Sequence, residues 1–220
     1  MSAPDNAPDF SPLASLYRWM EWLTFGPFLH RARCAFLSEL TQVRRALVLG
    51  DGDGRFTFAL LRANPVVQID AVDASPAMLR ALLHRSGPNA ARVQIHIADA
   101  RTFQPPSTEP YDLVVTHFFL DCLSTEEIHA LAAMLRPHLD PGAIWLLSDF
   151  AIPPNLYGRI FARPLVSLLY RAFGLLTGLR IRRLPDHPSA LMGNGFTLHF
   201  RRTFLGTLLI AEKWTILQPC

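Results

Sequence analysis

The sequence predicts a doubly wound α/β domain, a mostly parallel sheet with helices on both faces. Three observations predict it. From residue 46 to residue 150, short and nearly all-apolar runs alternate with amphipathic ones, as strands buried on both faces do when helices cover them. The first apolar run, "ALVLG", breaks into the turn "GDGDG" before a helical pattern resumes. Near the end, "FTLHFRRTFLGTLLIAEKWTIL" reads as two strands turning at Gly206, or at Arg201-Arg202 in the other register, which adds an antiparallel edge.

Residues 1–10 are polar and proline-rich and read as a disordered lead-in. Residues 11–45 form an N-terminal helical cap: apolar residues recur at helical spacing, with an interruption at Gly26-Pro27 that makes two short helices. In the core, residues 46–150, strand "ALVLG" leads to helix "RFTFALLRA", and strand "VQIDAVD" to helix "SPAMLRALLHR". Strand "VQIHIAD" follows, then strand "YDLVVTH", helix "STEEIHALAAMLRPHL" and strand "AIWLLSDF". Ser75 before Pro76 marks one helix start, and Ser124 with Glu127 forms a capping box at another. Residues 151–190 read as a lid, helical over Leu156–Leu176 and then carrying the proline-containing "RRLPDHPSALMGNG"; residues 191–220 hold the hairpin. With 220 residues, half of them hydrophobic, one core and a single domain are expected.

The formal charge of +3 is too mild for a nucleic-acid binder. It is unevenly spread: eight arginines follow residue 150, against only Asp186 and Glu212. The Arg-rich 159–183 region is either a solvated basic face or a place of peripheral membrane contact. Cys34, Cys122 and Cys220 are widely spaced and form no CxxC pair, so neither a disulfide framework nor a zinc site is indicated and a cytoplasmic protein is expected. No motif speaks to oligomeric state, and no set of suitably spaced ligands points to a metal.

The glycine turn carries the functional signal. In an open α/β sheet the ligand lies beyond the carboxyl ends of the strands, over the first strand-to-helix turn. A phosphate-binding P-loop needs Lys and Ser or Thr at its end, where this chain has Arg55-Phe56-Thr57 at the wrong spacing. A dinucleotide GxGxxG fails in both registers, because Arg55 or Thr57 stands where the third glycine belongs. Asp51 and Asp53 would repel a pyrophosphate but are favourable beside a cation. Asp73 ends the second strand, about twenty residues on, where a carboxylate accepts ribose hydroxyls. Asp99 ends the third. Three successive strands thus present carboxylates at one rim, which fits a nucleoside with a positive charge and no phosphate.

On these residues the chain resembles a class I S-adenosylmethionine-dependent methyltransferase, over residues 46–150 and the terminal hairpin. The resemblance implies a seven-stranded sheet and S-adenosylmethionine as cofactor. It implies that Gly50, Gly52 and Gly54 line the cofactor, that Asp73 holds the ribose with Ala74 a further cofactor-binding position, and that Asp99 with Ala100 meets the adenine. Met78 either covers the adenine ring or packs in the core, and Thr116 borders the site at the end of the fourth strand. Val48 departs from the family, which often has an acid there; Asp51 is the substitute for binding the amino group.

Methyl transfer requires alignment of an acceptor and, for a hydroxyl or acidic carbon, removal of a proton. The fourth strand runs into "THFFLDCL", which makes His117 the first candidate base and Asp121 the second; the alternative is that His117 caps the strand and Asp121 starts the loop. The Asn/Asp-Pro-Pro-aromatic motif of many N-methylating members is absent. The cap (Tyr17, Trp19, Met20, Trp22, Phe25, Phe28) and the lid (Tyr157, Phe161, Leu168, Tyr170, Phe173) are rich in large apolar residues, as a cover over a small, largely apolar acceptor would be. The expected function is methyl transfer to oxygen or carbon of such a molecule. The rivals are a lipid or protein methyltransferase using the basic face, and a non-catalytic scaffold that binds S-adenosylmethionine.

Overall fold

The computed structural model describes residues 27–106, 109–153 and 184–216. The expected lead-in, the first half of the helical cap, the helix expected over Leu156–Leu176, the Arg-rich 159–183 region and Cys220 lie outside the described residues.

Seven strands form one sheet: β1 (Arg45–Leu49), β2 (Gln68–Asp73), β3 (Val93–Ile97), β4 (Tyr111–His117), β5 (Leu139–Phe150), β6 (Phe196–Phe204) and β7 (Leu209–Ile216). Their spatial order is β3-β2-β1-β4-β5-β7-β6. β1 to β5 pair in parallel, and β7 runs antiparallel between β5 and β6. The order reverses between β1 and β4, so the crevice where an open sheet binds ligands lies at their carboxyl ends. The hairpin turns at Gly206, whose φ is 61°.

Among the described residues five α-helices pack on the sheet: α1 (Pro27–Arg33), α2 (Arg55–Ala63), α3 (Pro76–Ser86), α4 (Thr125–Leu135) and α5 (His187–Met192). Strand alternation sorts them. Ala46, Val48, Ile69, Ala71, Leu113 and Val115 face Phe56, Leu60 and Leu61 of α2 and Leu79 and Leu82 of α3. Leu47, Leu49, Val114, Trp145 and Leu147 face Ile128, Leu131 and Leu135 of α4 and Leu191 of α5. These side chains are almost wholly buried, and each large one contributes roughly 1.5–3 kcal/mol over an exposed state.

The helix starts read from the sequence are built as expected. Ser75 accepts the Met78 amide with Pro76 in the first turn, and Ser124 and Glu127 form the reciprocal capping box. Two elements differ. Helix α5 begins within the proline-containing stretch, to which no element is assigned from the sequence. Pro188 falls in its first turn, where no amide donor is needed, and the Asp186 carboxylate accepts the Ser189 amide at 3.1 Å. β5 starts at Leu139 rather than Ala143, because Tyr111 pairs with Leu139 before the ladder shifts register and resumes at Leu113 and Ile144.

Candidate active site

The glycine turn joins β1 to α2, and its three glycines all have positive φ: 68° at Gly50, 58° at Gly52 and 78° at Gly54. Their surroundings differ. A Cβ on Gly50 would strike the Phe119 ring, and one on Gly54 would come within 2.9 Å of the Leu82 Cα. Gly50 and Gly54 therefore let β4 and α3 close in. Around Gly52 only the Met78 Sδ approaches, at 3.9 Å. Gly52 is the position where an incoming ligand can meet bare backbone, as a nucleoside cofactor requires.

The aspartates at this rim are already engaged. Both Asp51 oxygens accept amides from the first turn of α2, Thr57 at 2.8 Å and Phe56 at 3.3 Å. Burial pushes its carboxyl up against those bonds. Asp51 thus caps a helix that has left-handed Gly54 at its N-cap. Asp53, counted in the sequence among the charges favourable to a cation, is paired with Arg85 at 2.6 Å and Arg55 at 3.4 Å. Its charge ties α3 to the turn.

Asp73 ends β2 and accepts the Ser75 amide at 2.8 Å. Burial raises its carboxyl, the Ser75 and Gly52 amides oppose that, and the Asp51 charge adds to it. A carboxylate has about four acceptor sites, so two amides leave it capacity for a diol. Ala74 follows it in the turn to α3. Asp99, beyond β3, is gripped by the Arg101 guanidinium through contacts of 2.5–3.0 Å. Despite partial burial, those bonds hold its carboxyl below the usual range. Arg101 also reaches Glu127 at 3.0 Å, so an adenine at Asp99 would meet a carboxylate that already has a cation. Ala100 and Met78 are buried. Thr116 lies in the core, its hydroxyl accepting the Trp145 Nε1–H at 2.9 Å.

The carboxyl ends of β4 and β5 are built differently. His117 is 4% exposed, its ring edge-on to Phe56 with centroids 4.6 Å apart. Neither ring nitrogen has a hydrogen-bond partner among the described residues. Burial, with the Arg33 charge, pulls its pKa down to about 3. Its register partner Ser148 is fully buried, and its Oγ is likewise unpartnered among the described residues. Phe118 holds a left-handed φ of 54°, fixed by its amide donating to the Ser148 carbonyl at 2.7 Å. Backbone strain of this kind concentrates at functional sites.

Asp149 lies on the opposite face of β5, sharing the alternation of Trp145 and Leu147. One oxygen accepts the Phe150 amide at 2.8 Å. The other, Oδ2, is buried and unpartnered among the described residues. Burial, the Asp121 charge and the Glu212 charge together drive its carboxyl well above the ordinary range. Asp121 is itself buried, with the Cys122 thiol 3.5 Å from its Oδ1. The structure brings Asp121 beside Asp149, which the sequence reading did not single out. Among the described residues no group of three His, Cys, Asp or Glu could hold a metal ion.

Residues 47–145 match the family model described as a methyltransferase domain. Over those residues the chain resembles a methyltransferase domain. It is 27% identical over 203 residues to a ubiquinone/menaquinone biosynthesis C-methyltransferase of Syntrophotalea carbinolica, covering 87% of this chain and 81% of that one. It is 27% identical over 110 residues to O-methyltransferase 3 of Dictyostelium discoideum, covering 48% of this chain and a quarter of the relative, 25%. The chain shares its fold with an N-methyltransferase of Bradyrhizobium japonicum solved with S-adenosyl-L-homocysteine, with a TM-score of 0.64, 15% identity and 89% of each chain covered. The seven-stranded sheet and its reversed hairpin are the architecture that the resemblance implied.

Proposed function

We propose that the chain transfers a methyl group from S-adenosylmethionine to an oxygen or acidic carbon of a small, largely apolar acceptor. One observation carries this reading: beside the cofactor rim, the ends of β4 and β5 hold a buried carboxylate pair, Asp121 and Asp149, with Asp149 Oδ2 unpartnered among the described residues. When bound, the cofactor supplies an electrophilic sulfonium methyl; the protein must add alignment and a place for the acceptor's proton.

A general base works best when its pKa lies near the working pH. His117, at about 3, has little affinity for a proton, whereas Asp149 has been pushed in the useful direction. Asp149 is therefore the group that takes the proton, with Asp121 raising its basicity, and His117 offers a neutral imidazole for hydrogen bonding. Phe118 and Phe150, with ring centroids 5.6 Å apart, supply apolar surface. The names of two relatives, one a C-methyltransferase and one an O-methyltransferase, support oxygen or carbon as the methylated atom. The widely spaced cysteines support a cytoplasmic setting.

The test is a mass-spectrometric screen for methylated product from S-adenosylmethionine and a panel of phenols, hydroquinones and acidic dicarbonyl compounds. Turnover should fall about 10²- to 10⁴-fold in Asp149→Asn, with affinity for S-adenosylhomocysteine retained. Undiminished turnover in that variant, or product from amines alone, would contradict the proposal.

A further inference from the structure

Asp149 has a buried acidic neighbour on β7. β5 and β7 run antiparallel, with Leu147 opposite Glu212 and Asp149 opposite Ile210. Opposite residues share a face, and diagonal ones on that face lie about 7–8 Å apart. Glu212 is thus the diagonal neighbour of Asp149, on the face that α4 and α5 cover. It is fully buried. Its Oε2 accepts the Trp214 Nε1–H at 2.8 Å and lies 3.1 Å from Nε2 of His187, the first residue of α5. Its Oε1 accepts the Nε–H of Arg201, on β6, at 2.5 Å.

A carboxylate stays ionised inside a protein only where donors and a cation replace its water. Glu212 has both. Burial works against its charge, but the His187 bond and charge, the Arg201 charge and the Trp214 bond hold its carboxyl below the usual range. Asp149 Oδ2 has no such donor among the described residues. The other titratable groups on the elements around Asp149 are Asp121 and Cys122 after β4, Glu126, Glu127 and His129 of α4, His199 of β6 and Lys213 of β7. Glu127 is engaged by the Ser124 amide and Arg101, and Lys213 pairs with Glu39. Glu126, His129 and His199 are exposed. Glu212 therefore joins Asp121 in opposing a second negative charge on this face.

We infer that Glu212 is a positioning residue for the proton transfer: its charge, fixed inside the sheet by Arg201, His187 and Trp214, makes Asp149 a stronger base for the acceptor's proton. The inference rests on Asp149 being the group that takes that proton. As the acceptor's electron pair bonds to the methyl group, its proton passes to Asp149; no bond changes at Glu212, which acts across the strand pair. Arg201 works the other way. Its cation offsets the Glu212 charge, and with a side chain 44% exposed it is screened by water and offsets only part. Removing Glu212 and removing Arg201 should therefore move Asp149 in opposite directions, which a packing role for either residue would not do.

Infrared difference spectroscopy reads this in the full chain without an acceptor. The carbonyl stretch of protonated Asp149 is assigned by its loss in Asp149→Asn and followed against pH. In Glu212→Gln, which keeps the size and a hydrogen-bonding head, the midpoint should fall by about one pH unit, a roughly tenfold weaker hold on the proton. In Arg201→Gln it should rise. That second variant also carries the test should Glu212→Gln fail to fold, which thermal unfolding would reveal, since Arg201 reaches the surface. With an acceptor from the product screen, the acid limb of kcat/KM should move in the same two directions. A midpoint that stays in place, or moves the other way, in either folded variant would overturn the inference. Undiminished turnover in Asp149→Asn would remove the proposed reaction, a distinct result that takes the inference with it.

Discussion

The two halves of the carboxyl rim are built to opposite rules. At the ends of β1 to β3 the carboxylates are matched from within the chain: Asp51 with the first turn of α2, Asp53 with Arg85, Asp73 with backbone amides, Asp99 with Arg101. At the ends of β4 and β5, His117, Ser148 and Asp149 bury polar atoms that have no hydrogen-bond partner among the described residues. A buried polar group without a partner costs about 1–3 kcal/mol. The first half is therefore prepared for a ligand whose shape is fixed in advance, and the second keeps unmet hydrogen-bonding capacity where a reacting group would arrive. A nucleoside cofactor suits the first half; an acceptor that gives up a proton suits the second.

The comparison can be broken at several points. The largest expected effect is in the prepared half. Gly54→Ala puts a side chain on a left-handed backbone and against the Leu82 Cα, and should cost about 2–5 kcal/mol of stability in denaturant titrations. A cost below 1 kcal/mol would mean that α2 and α3 are not packed as closely as described.

The next effect belongs to the unmatched half and depends on pH. His117 has a folded pKa of about 3 against about 6.5 in an unfolded chain. Between those values the unfolded chain binds the extra proton, so stability is highest above about pH 6.5 and falls as pH drops, at up to about 1.4 kcal/mol per pH unit. His117→Phe should flatten that slope relative to the native chain. Equal slopes would show that the imidazole reaches solvent or a partner.

The smallest effect is the most discriminating within the turn. Gly52→Ala meets no neighbour closer than 3.9 Å and should cost only about 1–2 kcal/mol for its left-handed φ. It should nevertheless weaken S-adenosylhomocysteine, because the added methyl occupies the one open face of the turn. Full retention of affinity would move the ligand away from Gly52.

Much of the fold was legible because its signals are local. The Ser75-Pro76 and Ser124-Glu127 caps, the apolar strands and the Gly206 turn each lie within a few residues of what they determine. Helix α5 was hidden because Pro188 and Asp186 look like breakers until the first-turn position of the proline is known. The site was legible in its first half for the same reason: glycines and acids at strand ends follow chain order. Arg33 and Asp149 were not, since "HRARC" does not say which arginine turns inward and "SDF" resembles any strand end. Only the pairing of β5 beside β4, and the packing of α1 against Phe118 at the end of β4, gives those two residues their neighbours.

The central claim is that the prepared half holds a nucleoside through Asp73 at the end of β2. The most direct test is calorimetric titration of the native chain and Asp73→Ala with S-adenosylhomocysteine, with NAD run in parallel. The account predicts binding of S-adenosylhomocysteine by the native chain, a loss of about 10- to 100-fold in the variant, and no binding of NAD. Equal affinity in both proteins, or preference for NAD, would contradict it.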